Sequence, residues 1–143
     1  MTLLQPKQIQ DLITLIRATN RTYIIGNGGS YANCSHLVND LLFCGVKAFT
    51  IDAATLSAFA NDYGWEQALT RWIRIVGTPH DLLIALSGSG TSKNILNAVV
   101  AAQTIGMSVC RVYGNTRKES MSQAEEYHLQ LGHELRRCLQ PQN

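Results

Sequence analysis

Tyr23-Ile24-Ile25-Gly26-Asn27-Gly28-Gly29-Ser30 and Leu86-Ser87-Gly88-Ser89-Gly90-Thr91-Ser92 decide how this chain folds. Each leaves a short apolar run that reads as a strand, Thr22 to Ile25 in the first case and Asp81 to Leu86 in the second. Each passes through glycines and hydroxyl residues into a stretch with helical spacing, Ser30 to Phe43 and Ser92 to Ile105. Working outward, Leu3 to Thr19 reads as an amphipathic helix carrying Leu4, Ile9, Leu12, Ile13 and Ile16. Lys47 to Asp52 reads as a second strand, Leu56 to Ala60 as a short helix, and Glu66 to Val76 as a helix closed by Gly77 and Pro79. Met107 to Tyr113 is a further strand, after a helix stop at Gly106. Strands alternating with helices of this length predict an α/β domain with a parallel sheet covered on both faces.

The 143 residues suit one domain, 1–143, and no linker, repeat or low-complexity tract divides them. Apolar residues make up 45% and charged residues 15%, a globular composition. The net charge of +2 is too small to argue for nucleic acid or a membrane surface. No apolar stretch reaches the ~20 residues of a membrane span. The N-terminus does not read as a signal peptide, so a cytoplasmic location with free thiols is the expectation. Cys34, Cys44, Cys110 and Cys138 form no C-x-x-C pair, which removes zinc-ribbon and thioredoxin readings.

Both glycine loops leave the carboxyl ends of strands, where ligands of open α/β sheets bind. Glycines let backbone approach an anion, and the helix start behind each loop offers N–H groups and a positive dipole end. The second loop adds the hydroxyls of Ser87, Ser89, Thr91 and Ser92 and holds no lysine or arginine, so a phosphate bound there is held by neutral donors. The bland reading is a turn followed by an N-cap. Neither loop has the lysine of a P-loop. Gly26-x-Gly28 begins like a dinucleotide fingerprint, with Asp52 where a ribose-binding carboxylate sits, but Tyr31 fills the third glycine position.

Gly26-Asn27-Gly28-Gly29-Ser30 with His36, then Asn61-Asp62-Tyr63-Gly64, then Leu86 to Leu96 resemble, in order, the phosphoheptose isomerase branch of the sugar isomerase (SIS) family. The resemblance implies a flavodoxin-like parallel sheet of about five strands and a homotetramer with sites at subunit interfaces. It implies that Ser87, Ser89 and Ser92 hold the substrate phosphate, that Asn27 and Ser30 contact the sugar phosphate, and that Asp62 is an acidic residue of the site. Gly88 stands where the family has threonine. The family's catalytic base, a glutamate, is Asp40 here, one methylene shorter. Some members bind zinc through a histidine four residues earlier, and His36 and Asp40 keep that spacing on one helical face. Two ligands fall short of the three a zinc site needs, so no cofactor is required by this reading, and a solvated His–Asp pair competes with a metal site.

The family's second catalytic residue is a histidine in Gln-Glu-x-His-x-x-x-x-His on a last helix. Two readings of the tail compete. Glu125-Glu126-x-His128-x-x-x-x-His133 is that helix, with His133 as the acid; or Tyr127 to Leu131 is a fifth strand, alternating Tyr127, Leu129 and Leu131 against His128 and Gln130. The strand reading is preferred, because Gly132 inside a helix costs about 1 kcal/mol relative to alanine. It leaves a SIS domain trimmed at the C-terminus, with a short N-terminal helical region, whose isomerase activity is absent or very slow. The functional expectation is therefore phosphosugar binding, by an isomerase or by a non-catalytic sensor or docking module.

Overall fold

Residues of alternating direction along each strand divide between two cores, and this fixes the architecture. The computed structural model describes residues 5–114 and 120–140; Leu3 and Leu4 of the first expected helix lie outside them. The elements run α1 (Pro6–Ala18), β1 (Thr22–Ile25), α2 (Gly29–Phe43), β2 (Ala48–Thr50), α3 (Ala53–Tyr63), α4 (Trp65–Val76), β3 (Leu82–Ser87), α5 (Lys93–Ile105), β4 (Ser108–Tyr113) and α6 (Met121–Leu139). All strand pairs are parallel, in the order β2-β1-β3-β4. This is the flavodoxin-like order, whose switch point lies between β1 and β3.

Ile24, Leu82, Ile84, Leu86 and Val112 face one layer, where Leu12, Ile13 and Ile16 of α1, Leu37 and Leu41 of α2, and Tyr127, Leu131 and Leu135 of α6 cover them. Tyr23, Ile25, Leu83 and Ala85 face the other layer, covered by Leu69 and Ile73 of α4 and by Ile95, Ala98 and Ala102 of α5. β3 is buried along its whole length, which explains why it is the most hydrophobic strand of the sequence.

The tail corrects the expected fifth strand. Tyr127 to Leu131 lies inside α6, and the sheet has four strands among the described residues. Ser120 caps α6 in a reciprocal capping box with Gln123. Ala124, Tyr127, His128, Leu131, Gly132 and Leu135 are buried, a spacing that follows a helical stripe and not strand alternation. The cost of Gly132 is offset because α6 packs so closely on α2 there. A Cβ on Gly132 would stand 3.1 Å from Asp40 Oδ2 and 3.4 Å from Leu37 Cδ1. None of the helices built from the described residues is long and apolar enough to cross a membrane.

Candidate functional site

The β1–α2 and β3–α5 loops flank the switch point and meet there through a reciprocal amide pair. Asn27 Nδ2 donates to Asn94 Oδ1 at 2.9 Å, and Asn94 Nδ2 donates to Asn27 Oδ1 at 2.8 Å. Gly28, at φ 54°, turns the chain into α2 in a conformation that favours glycine. The two loops and the start of α6 enclose a pocket of about 50 Å³ lined by Asn27, Ser30, Ser87, Ser89, Ser92 and Met121. Five of the expected sugar-phosphate residues thus come together. Asp62 does not join them: it is exposed, near the end of α3, and accepts a bond from the Asn61 amide at 3.0 Å.

The serine loop is organised around its own backbone. Ser87 Oγ accepts from the Gly90 N–H at 3.0 Å, and Ser89 Oγ accepts from the Thr91 N–H at 3.1 Å. Both oxygens are engaged as acceptors, which leaves the Ser87 O–H to donate to an anion; Ser89 Oγ and Ser92 Oγ lie 3.4 Å apart, so that one of these two hydroxyls donates to the other and the second is free to donate outward. Ser92 is the N-cap residue of α5 and makes no capping bond with its side chain. The nearest lysine in sequence, Lys93, points to Glu66 on α4 at 3.9 Å. Gly88 has a structural explanation: a Cβ there would run into the Met121 sulfur and meet Ala124 at 3.4 Å. A threonine there would require the Met121 side chain at the start of α6 to swing aside.

α2 and α6 run side by side in the same direction from this pocket. His128, 1% exposed, lies between Ser30 and β4. Its Nε2 is 3.1 Å from the Val112 carbonyl, which can only accept, so Nε2 carries the proton and Nδ1, 3.3 Å away, accepts from Ser30 Oγ. His128 thus fixes the Ser30 hydroxyl in the pocket wall. Asn33 Nδ2 donates to the Glu125 carbonyl at 2.8 Å, and the absence of a side chain at Gly29 makes room for the Glu125 carboxylate at the start of α2. Neither His128 nor Glu125 was singled out as a site residue from sequence.

Further along the two helices, His36, Asp40 and His133 converge. The His36 and His133 rings meet edge to face with centroids 5.1 Å apart, and His36 Nδ1 lies 3.1 Å from Asp40 Oδ2. Both histidines are exposed, whereas the Asp40 side chain is 1% exposed. Arg136 Nη1 donates to the other carboxylate oxygen, Oδ1, at 3.2 Å, with its guanidinium 4.3 Å from the centre of the Phe43 ring. The strand reading would have dispersed this group; the helix assembles it. It also supplies the third metal donor that the sequence lacked. One ligand atom from each of His36, Asp40 and His133 lies within 4.8 Å of the others. Two imidazoles and a carboxylate suit zinc with an open fourth position. Donors of a tetrahedral ion with ~2.1 Å bonds stand about 3.4 Å apart, so these residues fit an ion after small side-chain rotations.

Other candidates reduce to structure. Asp52 Oδ2 caps α3 by accepting from the Ala54 N–H at 3.0 Å, and Tyr31 donates to the Ile51 carbonyl. The dinucleotide reading thus loses its carboxylate to an N-cap. The four cysteines are free thiols. Burial raises the Cys34 thiol far above its ordinary range and pushes Cys110 up to about 11, so neither is a thiolate nucleophile at neutral pH. A groove of about 360 Å³ lies on α3 and α4 between Tyr63, Gln67, Arg71, Arg74 and Ile75. It is larger than the loop pocket, but Arg71 stacks 3.9 Å over Tyr63 within it, and no strand-end loop lines it.

Comparison with known proteins agrees with the fold. The SIS domain family matches residues 7–114. Phosphoheptose isomerase of Akkermansia muciniphila is 33% identical over 140 residues, covering 82% of this chain and 74% of that protein. Phosphoheptose isomerase of Rhodospirillum rubrum is 38% identical over 107 residues, 69% of this chain and 57% of that protein. For the Thiobacillus denitrificans enzyme the figures are 37% over 99 residues, 64% and 50%, so the match spans only about half of that relative. Among solved structures, a phosphoheptose isomerase from Francisella tularensis superposes with a TM-score of 0.84 at 24% identity, over 94% of this chain and 85% of that one. The Neisseria gonorrhoeae enzyme gives 0.80 at 24%, over 92% and 82%. The chain belongs to the SIS domain family, on its phosphoheptose isomerase-like branch.

Proposed function

We propose that this protein interconverts an aldose and a ketose phosphate of the sedoheptulose 7-phosphate class, with Asp40 as base and His133 as acid. The observation that carries this reading is the continuity of α6, which sets His133 beside His36 and Asp40. The strand reading of the tail was one of two grounds for expecting little turnover, and it no longer stands. The other, the shorter reach of Asp40, is the sole support for a non-catalytic sensor or docking module.

In the proposed reaction the phosphate is held by the hydroxyls of Ser87, Ser89 and Ser92 and by the first turn of α5. Asn27 and Ser30 orient the sugar. Asp40 takes a proton from the carbon next to the carbonyl while His133 protonates the carbonyl oxygen, giving an enediol. Return of the proton to the former carbonyl carbon, with loss of the hydroxyl proton from the carbon first deprotonated, completes the isomerisation with no net change in composition. Zinc is not required by these steps. When bound, it would be held by His36, Asp40 and His133 and would supply a Lewis acid for the substrate oxygens.

The same reading includes a cytoplasmic homo-oligomer, a tetramer, whose sites are completed between copies. Support comes from the exposure of His36 and His133, from Asp62 lying outside its own chain's pocket, and from Leu42 and Phe43, 54% and 64% exposed at the end of α2. Light scattering at micromolar concentration should give a mass above that of one chain; a monomer would contradict the assembly.

Soaking crystals with a sugar phosphate should put an oxyanion within hydrogen-bond distance of Ser87, Ser89 or Ser92. Ser89→Ala and Ser92→Ala should each weaken that ligand by about 5- to 10-fold, as for loss of one hydrogen bond. Density for the phosphate elsewhere, with this loop empty at saturation, would defeat the assignment. Turnover of sedoheptulose 7-phosphate by the wild type, lost in His133→Ala, is the direct test of the activity.

A further inference from the structure

We propose that Arg136 is a built-in counter-cation for Asp40, which positions the carboxylate and keeps the affinity of the His36–Asp40–His133 group for a divalent metal low. The inference rests on reading Asp40 as the working carboxylate of this site, but its measurement does not depend on turnover.

The carboxylate is shared. Oδ2 faces His36 Nδ1 at 3.1 Å and Oδ1 faces Arg136 Nη1 at 3.2 Å. Asp40 is the buried member, at 1% exposure, so its charge is compensated inside the protein more than by water. Arg136 reaches it from one turn beyond His133 on α6, and the residue is held by its side chain and by its backbone. The guanidinium lies over Phe43 from α2, and the Arg136 backbone carbonyl accepts from Cys44 Sγ at 3.6 Å, which pins that turn of α6 to the end of α2. A dication entering the group meets two obstacles. One carboxylate oxygen already serves a guanidinium, and a fixed positive charge stands next to the site. Like charges a few ångströms apart repel, and the burial of the Asp40 carboxylate between them weakens the screening by water. A guanidinium also cannot lose its charge to make way. Arg136 therefore supplies in permanent form part of the positive field that a metal would otherwise bring, and the site works on side chains with metal as a weak visitor.

The test uses zinc itself, titrated into the full-length protein against a chromophoric chelator, with thermal melting followed in parallel. Arg136→Met keeps an unbranched side chain beside Phe43 and removes the charge; Arg136→Gln keeps a donor for Asp40 without the charge. Both should bind zinc about 10- to 100-fold more tightly than the wild type, the range over which groups around a metal's ligands tune affinity. Arg136→Lys, which keeps the charge, should stay close to wild type. Adding Asp40→Asn to Arg136→Met should abolish the gain. Added zinc should raise the melting temperature of the neutral variants more than that of the wild type, because a ligand that binds only the folded state stabilises it. If one neutral variant fails to fold, the other decides. Unchanged or weaker zinc binding in a folded neutral variant overturns the proposal. So does a gain that survives Asp40→Asn, which would assign the zinc to thiols such as Cys44. Tighter zinc binding without any sugar-phosphate turnover, in wild type or variant, would leave this inference standing and remove the isomerase reading instead.

Discussion

Asp40→Asn should lower sedoheptulose 7-phosphate turnover by about 10²- to 10⁴-fold, the usual contribution of a positioned general base. The change preserves shape and removes the ability to accept a proton. His133→Ala should cost a similar factor, and the double variant little more than either single one, since the two groups act on one intermediate and their losses do not add. The loss should fall on kcat. Affinity for the sugar phosphate should hold, because the Ser87, Ser89 and Ser92 pocket lies at the other end of α2 and shares no residue with the pair. Asp40→Glu is not expected to recover a faster enzyme. The buried carboxylate is already enclosed by His36, Arg136 and the bare face of Gly132, and an extra methylene has no room there. Turnover within a few-fold of wild type in folded Asp40→Asn would show that another base does the chemistry and that the Asp40 assignment is wrong.

The elements around the two loops were legible because β-branched and apolar runs end sharply at Gly26 and Ser87, where the period of the pattern changes from strand to helix. The tail was not, because five residues are too short a window. Tyr127, Leu129 and Leu131 satisfy alternation, while Tyr127 and Leu131 are also one helical turn apart. The window from Ala124 to Leu135 separates the readings, since the buried positions follow a helical stripe and Leu129 is only half-buried. A local signal was present in Ser120-x-x-Gln123, which forms the capping box. Gly132 argued against a helix on propensity alone; its value lies in a tertiary contact that no local rule contains. The same holds for His128, whose role depends on Val112 and Ser30, 16 and 98 residues away. Asp62 shows the converse limit: three motifs in family order identify the family without saying which of them line one pocket.

Gly132→Leu should be the most destabilising single change on α6. The helices meet where Gly132 faces Leu37 and Asp40, and even a Cβ would stand 3.1 Å from Asp40 Oδ2. Two effects oppose each other. Replacing glycine inside a helix gains up to about 1 kcal/mol in propensity. Forcing side-chain volume into a filled contact costs about 1–3 kcal/mol, and here the displaced group is a buried carboxylate held by two partners. For Gly132→Ala the two should nearly cancel, leaving the melting temperature within a few degrees of wild type. For Gly132→Leu the overpacking wins, and the melting temperature should fall by roughly 4–10 °C, from the usual few degrees per kcal/mol in domains of this size. Turnover should respond more sharply than stability. A helix pushed outward by about an ångström carries His133 away from Asp40, and a misplacement of that size can cost about 10²-fold in rate. Circular-dichroism melting and kcat measured on the same preparations separate the two effects. If Gly132→Leu melts like wild type and turns over normally, α6 does not pack on α2 at Gly132, and both the helix reading of the tail and the Asp40–His133 pair would have to be withdrawn.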